Sequence, residues 1–271
     1  MCYSAEVQLA TSLLIFFFMG YYYIKYHRKY FSLRSKWEDK FTKFILFAMF
    51  LIGAHQFFEF LSIVTENMII YKVGLILSIS SMYFFLRSFE VLVNKKVHGG
   101  IAIFVIVLTA IHLFISDMSF SANSFFVQHN SAFIWAVAWM FLFIYFHVVA
   151  LREYLTTKDK KEGHELIIFF LMITDISFVI SLVYSFFAYL VYGANICTDA
   201  PSIWCTFFVI QILFVPLLLS KLHNSFNRRK KVKLQSAKSM FITLIIALII
   251  LALLFLIIPF FDCLTWKYVF P

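Results

Sequence analysis

The sequence predicts an all-α, polytopic membrane fold: a seven-helix bundle with one peripheral transmembrane helix at the C-terminal side. Three observations predict it. Of the 271 residues, 63% are hydrophobic and only 14% are charged, where soluble domains carry about 25% charged residues. The apolar residues fall into long blocks, most of them near the roughly 20 residues that a helix needs to cross a bilayer. Only helices and closed barrels satisfy their own backbone polar groups in lipid. Finally, Lys and Arg collect in alternate loops, the asymmetry that sets the orientation of membrane helices.

Taken in order, the spans are about 8–26, 41–64, 68–92, 99–116, 131–151, 165–192, 201–221 and 239–259, within a single transmembrane domain, 1–271. The first span has no basic residue before it and a dense basic run after it, so it is expected to be retained rather than cleaved as a signal peptide. That run holds Lys25, Arg28, Lys29, Arg34, Lys36, Lys40 and Lys43. Spans three and four are separated by Lys95 and Lys96, and spans five and six by Arg152, Lys158, Lys160 and Lys161. Spans seven and eight flank Lys221, Arg228, Arg229, Lys230, Lys231, Lys233 and Lys238. All four segments belong in the cytoplasm by the positive-inside rule. The complementary segments, 1–7, 65–67, 117–130, 193–200 and 260–271, contain Lys267 as their sole Lys or Arg. Both termini are therefore expected outside the cytoplasm. The last span, "FITLIIALIILALLFLII", has no polar side chain beyond Thr243 and reads as a lipid-facing helix.

The net charge of +9 is accounted for by these loops and does not point to nucleic acid. No phosphate loop, haem motif, kinase signature or nucleic-acid module is present. Membrane lipids are the expected partners, and the sequence names no protein partner. The 37 Phe read as lipid-facing side chains rather than a cofactor site.

Polar residues inside the spans carry the functional information. The stretch "GAHQFFEF" (53–60) places His55, Gln56 and Glu59 in the outer half of span two. A charge at mid-membrane costs roughly 2.5–3.5 kcal/mol even on the lenient insertion scale. His55 and Glu59, four residues apart, share a helix face. His112 sits a turn from the outer end of span four, His129 in the following outer loop, and Cys205 a turn into span seven. Cys2, Cys197 and Cys263 lie outside, so all four cysteines fall on one side. Three readings stay open. The cysteines form one or more disulfides, as an oxidising compartment permits. Alternatively Cys2, Cys205, His55, Glu59 and His129 hold a transition metal such as zinc. In the third, the polar groups only hydrogen-bond between helices. Asp175, near the middle of span six, is a further candidate for a partner or cavity. His147 in span five reads as a hydrogen-bonding residue of the bundle. Arg87 and Glu90 read as a local i,i+3 ion pair, and Trp204 as part of an interfacial aromatic belt.

Three stretches together, "MCYSAE" (1–6), "GAHQFFEF" (53–60) and "SIWC" (202–205), resemble an uncharacterised family of bacterial multi-pass membrane proteins. Its members open Met-Cys-Phe/Tyr-Ser-Ala, carry His-Gln-x-x-Glu in the second helix and Leu/Ile-Trp-Cys in the seventh. The resemblance implies a bacterial inner-membrane location. It points to Cys2, Ser4, His55, Gln56, Glu59, Trp204 and Cys205 as the site, without implying a settled activity.

The function expected from these residues is a metal-assisted, hydrolase-like intramembrane enzyme with an outward-opening site, acting on a lipid or amphiphile. His55 would be ligand or general base, Glu59 ligand or proton acceptor. Cys2 would be a ligand or, with Met1 removed, a nucleophile with its own amine as base. A metal would bring bound water to a pKa near about 7. The alternatives are a non-catalytic seven-helix sensor or receptor and a metal-handling transporter, with the cysteines in a structural disulfide. A retinal-binding receptor is disfavoured, because span seven holds no Lys before Lys221 at its inner end. No inverted repeat of the transporter kind is visible.

Overall fold

The computed structural model describes residues 5–30, 36–93, 99–116 and 130–156 and, further along, 165, 167–177, 179–180, 183, 208–209 and 211–220. All of them fall within the unit Met1–His223. Their regular structure is helical throughout: α1 (Ala5–Tyr30), α2 (Lys36–Thr65), α3 (Met68–Val93), α4 (Gly99–Ile115), α5 (Asn130–Thr156), α6 (Ile167–Ser177) and α7 (Gln211–Ser220). A helical segment thus stands in each of the first seven predicted spans. The eighth, 239–259, lies outside the described residues. Three stretches are long and apolar enough to cross a membrane: Asp39–Thr65, Met68–Val93 and Val137–Thr156.

Local chemistry explains the tight hairpin between α2 and α3. Glu66 takes a left-handed backbone conformation, φ 51°, which lets the Asn67 N–H donate back to the Ser62 carbonyl at 3.2 Å. This closes the end of α2 in a Schellman-type turn. Asn67 then caps α3, its Oδ1 accepting from the Ile69 and Ile70 N–H groups at 2.9 and 3.4 Å, the N-cap arrangement that Asn favours. At the same end of the bundle the buried Lys72 donates from Nζ to the Ser116 carbonyl at 2.7 Å. A cation at the C-terminus of α4 meets the negative end of that helix's dipole.

Close approach of helices follows the small residues, as packing in lipid requires. A Cβ at Gly53 would lie 2.8 Å from Ile15 Cγ2 and 3.0 Å from Phe16 Cε1. One turn away, the Phe16 and Phe50 rings sit 5.5 Å apart. These two contacts set an antiparallel register for α1 and α2. Since Ile15 is fully buried, it cannot swing aside. Gly53→Ala is therefore expected to destabilise the bundle by roughly 1–3 kcal/mol, the cost of overpacking. Unfolding of the purified protein in bicelles measures this, and Ile15→Leu, which lacks the clashing γ2 methyl, should recover part of the loss in the Gly53→Ala background. If Gly53→Ala is neutral, this is not the point of closest approach.

On its other side α2 packs against α3, with Phe47 and Phe84 edge-to-face at 4.6 Å. Toward the far ends of these helices, Phe41, Phe89, Phe146 and Phe170 from α2, α3, α5 and α6 form a fully buried aromatic cluster. Phe89 lies 5.6 Å from Phe146 and 5.9 Å from Phe170. These phenylalanines are core, not the lipid-facing residues that composition suggests. Others are on the surface: Phe17 on α1, Phe104 and Phe114 on α4 and Phe141 on α5 are exposed, among many exposed aliphatic neighbours. Such continuous apolar surface suits a lipid solvent and not water. Arg87 and Glu90 form the expected i,i+3 pair, with the guanidinium 5.8 Å from the Phe44 ring centroid.

Candidate functional site

The residues of "GAHQFFEF" fall in the second half of α2, beginning at the close contact of Gly53. Two faces of the helix diverge from there. Gly53 and Gln56, three apart, face α1, while His55, Glu59 and Ser62 form an i, i+4, i+7 row toward α3. His55 is 1% exposed, Gln56 0% and Glu59 4%. His55 Nε2 stands 3.5 Å from Glu59 Oε1. The other ring nitrogen, Nδ1, looks at α3: a Cβ at Gly74 would lie 3.6 Å from it. The tighter neighbour of that position is Phe58 Cβ at 3.2 Å, so Gly74 sets how closely α3 lies on α2 beside the imidazole. Beyond it, the His55 and Trp135 rings are 6.5 Å apart, and Trp135 is fixed by donating from Nε1 to the Leu75 carbonyl at 3.0 Å. Ser62 donates to the Glu59 carbonyl at 2.7 Å.

The α1 side of this site was not among the sequence candidates. Gln8, Ser12 and Ile15 lie at i, i+4 and i+7 on one face, and Gln8 and Ser12 are 0% exposed. Extending the register set by Ile15–Gly53 and Phe16–Phe50 places Ser12 level with Gln56, and Gln8 level with Glu59 and Phe60. The signal was available in principle, as two polar residues a turn apart in an otherwise apolar span. It gains meaning only once α2 is known to lie opposite.

The remaining candidates divide. Cys2, Ser4, His129, Trp204 and Cys205, with Cys197 and Cys263, lie outside the described residues. His112 has Nε2 3.2 Å from Ser116 Oγ, and that hydroxyl also donates to the His112 carbonyl at 2.6 Å. It therefore takes part in the end of α4, beside the Lys72 contact. Among the described residues no three His, Cys, Asp or Glu side chains come together as metal ligands.

Asp175 does find a partner, and it is His147. Nε2 of His147 is 2.8 Å from Asp175 Oδ2, and Nδ1 is 2.8 Å from the Phe143 carbonyl. Thr174 donates to the other carboxylate oxygen at 3.1 Å. An imidazole with an acceptor on both nitrogens suits an imidazolium–carboxylate pair, neutral as a whole, tying α5 to α6. Nearby, Ser177 donates to Gln211 Oε1 at 3.0 Å, and a small cavity is lined by Trp139, Phe143, Thr174, Phe208 and Gln211. A double-mutant cycle of His147→Ala and Asp175→Ala is expected to give a coupling of about 0.6–1.7 kcal/mol, the scale of interhelical hydrogen bonds in membranes. Additive single effects would mean that the two side chains do not interact.

No protein-family model, curated protein or solved structure matches the chain.

Proposed function

We propose that the chain is a bacterial inner-membrane protein of seven bundled helices plus one, with both termini outside the cytoplasm. We assign it to the family that opens Met-Cys-Phe/Tyr-Ser-Ala. Its His55–Glu59 pair is the acid–base centre of an intramembrane hydrolase for a lipid or amphiphile. One observation carries the reading. An imidazole and a carboxylate, both buried, are held 3.5 Å apart inside helices suited to lipid, where ionisable groups are costly and mark function. Glu59 faces Nε2, holds the ring and balances the charge that forms on it. The imidazole then takes a proton from water as that water adds to an acyl carbon. The bond to the leaving oxygen breaks, and the imidazolium returns the proton to that oxygen. General acid–base assistance of this kind contributes about 10²–10⁴-fold.

A catalytic zinc takes three protein ligands, and the described residues supply His55 and Glu59 alone. Cys2, His129 or Cys205 would have to complete the set, and the metal would then supply hydroxide near neutral pH. A second reading, a non-catalytic sensor, draws on the buried amides of Gln8 and Gln56, which suit binding without chemistry.

The test uses the full chain in lipid nanodiscs, with a panel of acyl amphiphiles bearing glycerol, choline and phosphate headgroups. Released fatty acid and bound zinc are both measured. Hydrolysis of at least one substrate, lowered 100-fold or more in His55→Ala with the fold retained, supports the enzyme. Binding without release in the wild type sinks it and favours the sensor. Zinc lost from both His55→Ala and Glu59→Ala would add the metal to the mechanism.

A further inference from the structure

We infer that the seam between α1 and α2 receives an uncharged, hydroxyl-bearing headgroup, so that the class of ligand taken up beside His55 and Glu59 is the glycerol ester. The observation is a set of buried polar atoms with no hydrogen-bond partner: Nε2 and Oε1 of Gln8, Oγ of Ser12, and Nε2 and Oε1 of Gln56. All three residues are 0% exposed. Buried side-chain polar atoms are nearly always bonded, and those that are not call for an explanation such as a bound molecule. In a bilayer the penalty is greater, because no water stands by to take over. The register fixed by Ile15 on Gly53 sets Ser12 level with Gln56 and Gln8 a turn beyond, and none of these polar atoms is hydrogen-bonded. Each amide presents a donor and an acceptor side by side, and Ser12 adds a hydroxyl that does either.

A partner for such a set must itself donate and accept at neighbouring atoms, which vicinal hydroxyls do. Charge selects further. None of these three side chains carries a charge, so a phosphate or a choline gains no ion pair from the set itself. Depth agrees as well. Gln8 lies in the first turn of α1, about 4.5 Å from its start by the helical rise. A glycerol headgroup entering from the membrane would reach the amides while its chain stays in lipid.

This inference rests on the reading of His55 and Glu59 as the centre of the site, but not on turnover. The experiment titrates the full chain in detergent with 1-monooleoylglycerol, oleoyl lysophosphatidic acid and oleoyl lysophosphatidylcholine, reading bound lipid by native mass spectrometry. The wild type should bind the glycerol ester at least tenfold more tightly than either charged lipid. Gln8→Leu/Gln56→Leu, which removes the unpartnered atoms and should melt no lower than wild type, should lose that preference. His55→Gln should keep it. Equal binding of the three lipids by the wild type overturns the inference without need of any variant. So does a preference that survives in the double variant. A double variant that melts higher, with no lipid preference in either protein, would assign the atoms to trapped water. Glycerol-ester binding without fatty-acid release keeps the headgroup inference and removes the hydrolase. Release from charged lipids alone does the reverse.

Discussion

Phe89→Ala is expected to lower the stability of the bundle by roughly 3–5 kcal/mol, the range for truncating a buried aromatic side chain. The ring is 0% exposed and touches two others edge-on or tilted, Phe146 at 5.6 Å and Phe170 at 5.9 Å. Through Phe170 it joins Phe41 at 6.0 Å, so one substitution loosens four helices. In lipid the hydrophobic effect contributes little to helix association, because an acyl chain is as apolar as Leu. What is lost is dispersion contact, and the void left behind is enclosed by protein, so lipid cannot fill it. The control is Phe104→Ala on α4. That ring is 67% exposed, lipid replaces its contacts, and the change should stay within about 0.5 kcal/mol. Reversible unfolding in bicelles, by denaturing detergent or steric trapping, compares the two. If both variants lose the same stability, the aromatic cluster is not a core.

That contrast also shows why the sequence reveals the helices of this protein better than its interior. In water a helix declares its buried side, because polar residues occupy the other. In lipid both sides are apolar, so the 3.6-residue rhythm that would separate Phe89 from Phe104 fades. The length of the apolar runs was enough to place a helical segment in each of the first seven spans. The ends moved outward, with α1 continuing to Tyr30 and α2 beginning at Lys36, because backbone hydrogen bonding carries on into the basic flanks after the apolar run stops. Where a polar residue interrupts a span, facing becomes legible again. His55 and Glu59 at i, i+4 could be joined from spacing alone, since the partner is on the same helix. His147 and Asp175 could not, because their meeting depends on how α5 packs against α6. Gln8 and Ser12 needed the register of α1 on α2, and that register comes from Gly53, which spacing does not distinguish from any other glycine.

Removing His55 alone should cost more than removing His55 and Glu59 together. In His55→Leu the carboxylate stays buried, 4% exposed, without the imidazole 3.5 Å away. Breaking a buried pair by deleting one partner costs about 3–5 kcal/mol, while replacing both with apolar groups is often neutral or stabilising. The expected loss for His55→Leu is about 3 kcal/mol, at the lower end of that range. Adding Glu59→Leu should restore most of it, with the double variant within roughly 1 kcal/mol of wild type. The fold would then tolerate an apolar pair at the place where the protein keeps a titratable one, which is the pattern of residues held for what they do rather than for stability. The same two proteins separate the roles in function, since both should lack hydrolysis while the double variant remains folded. If the losses of the two single variants instead add in the double variant, imidazole and carboxylate act independently, and Glu59 does not orient His55 as a base.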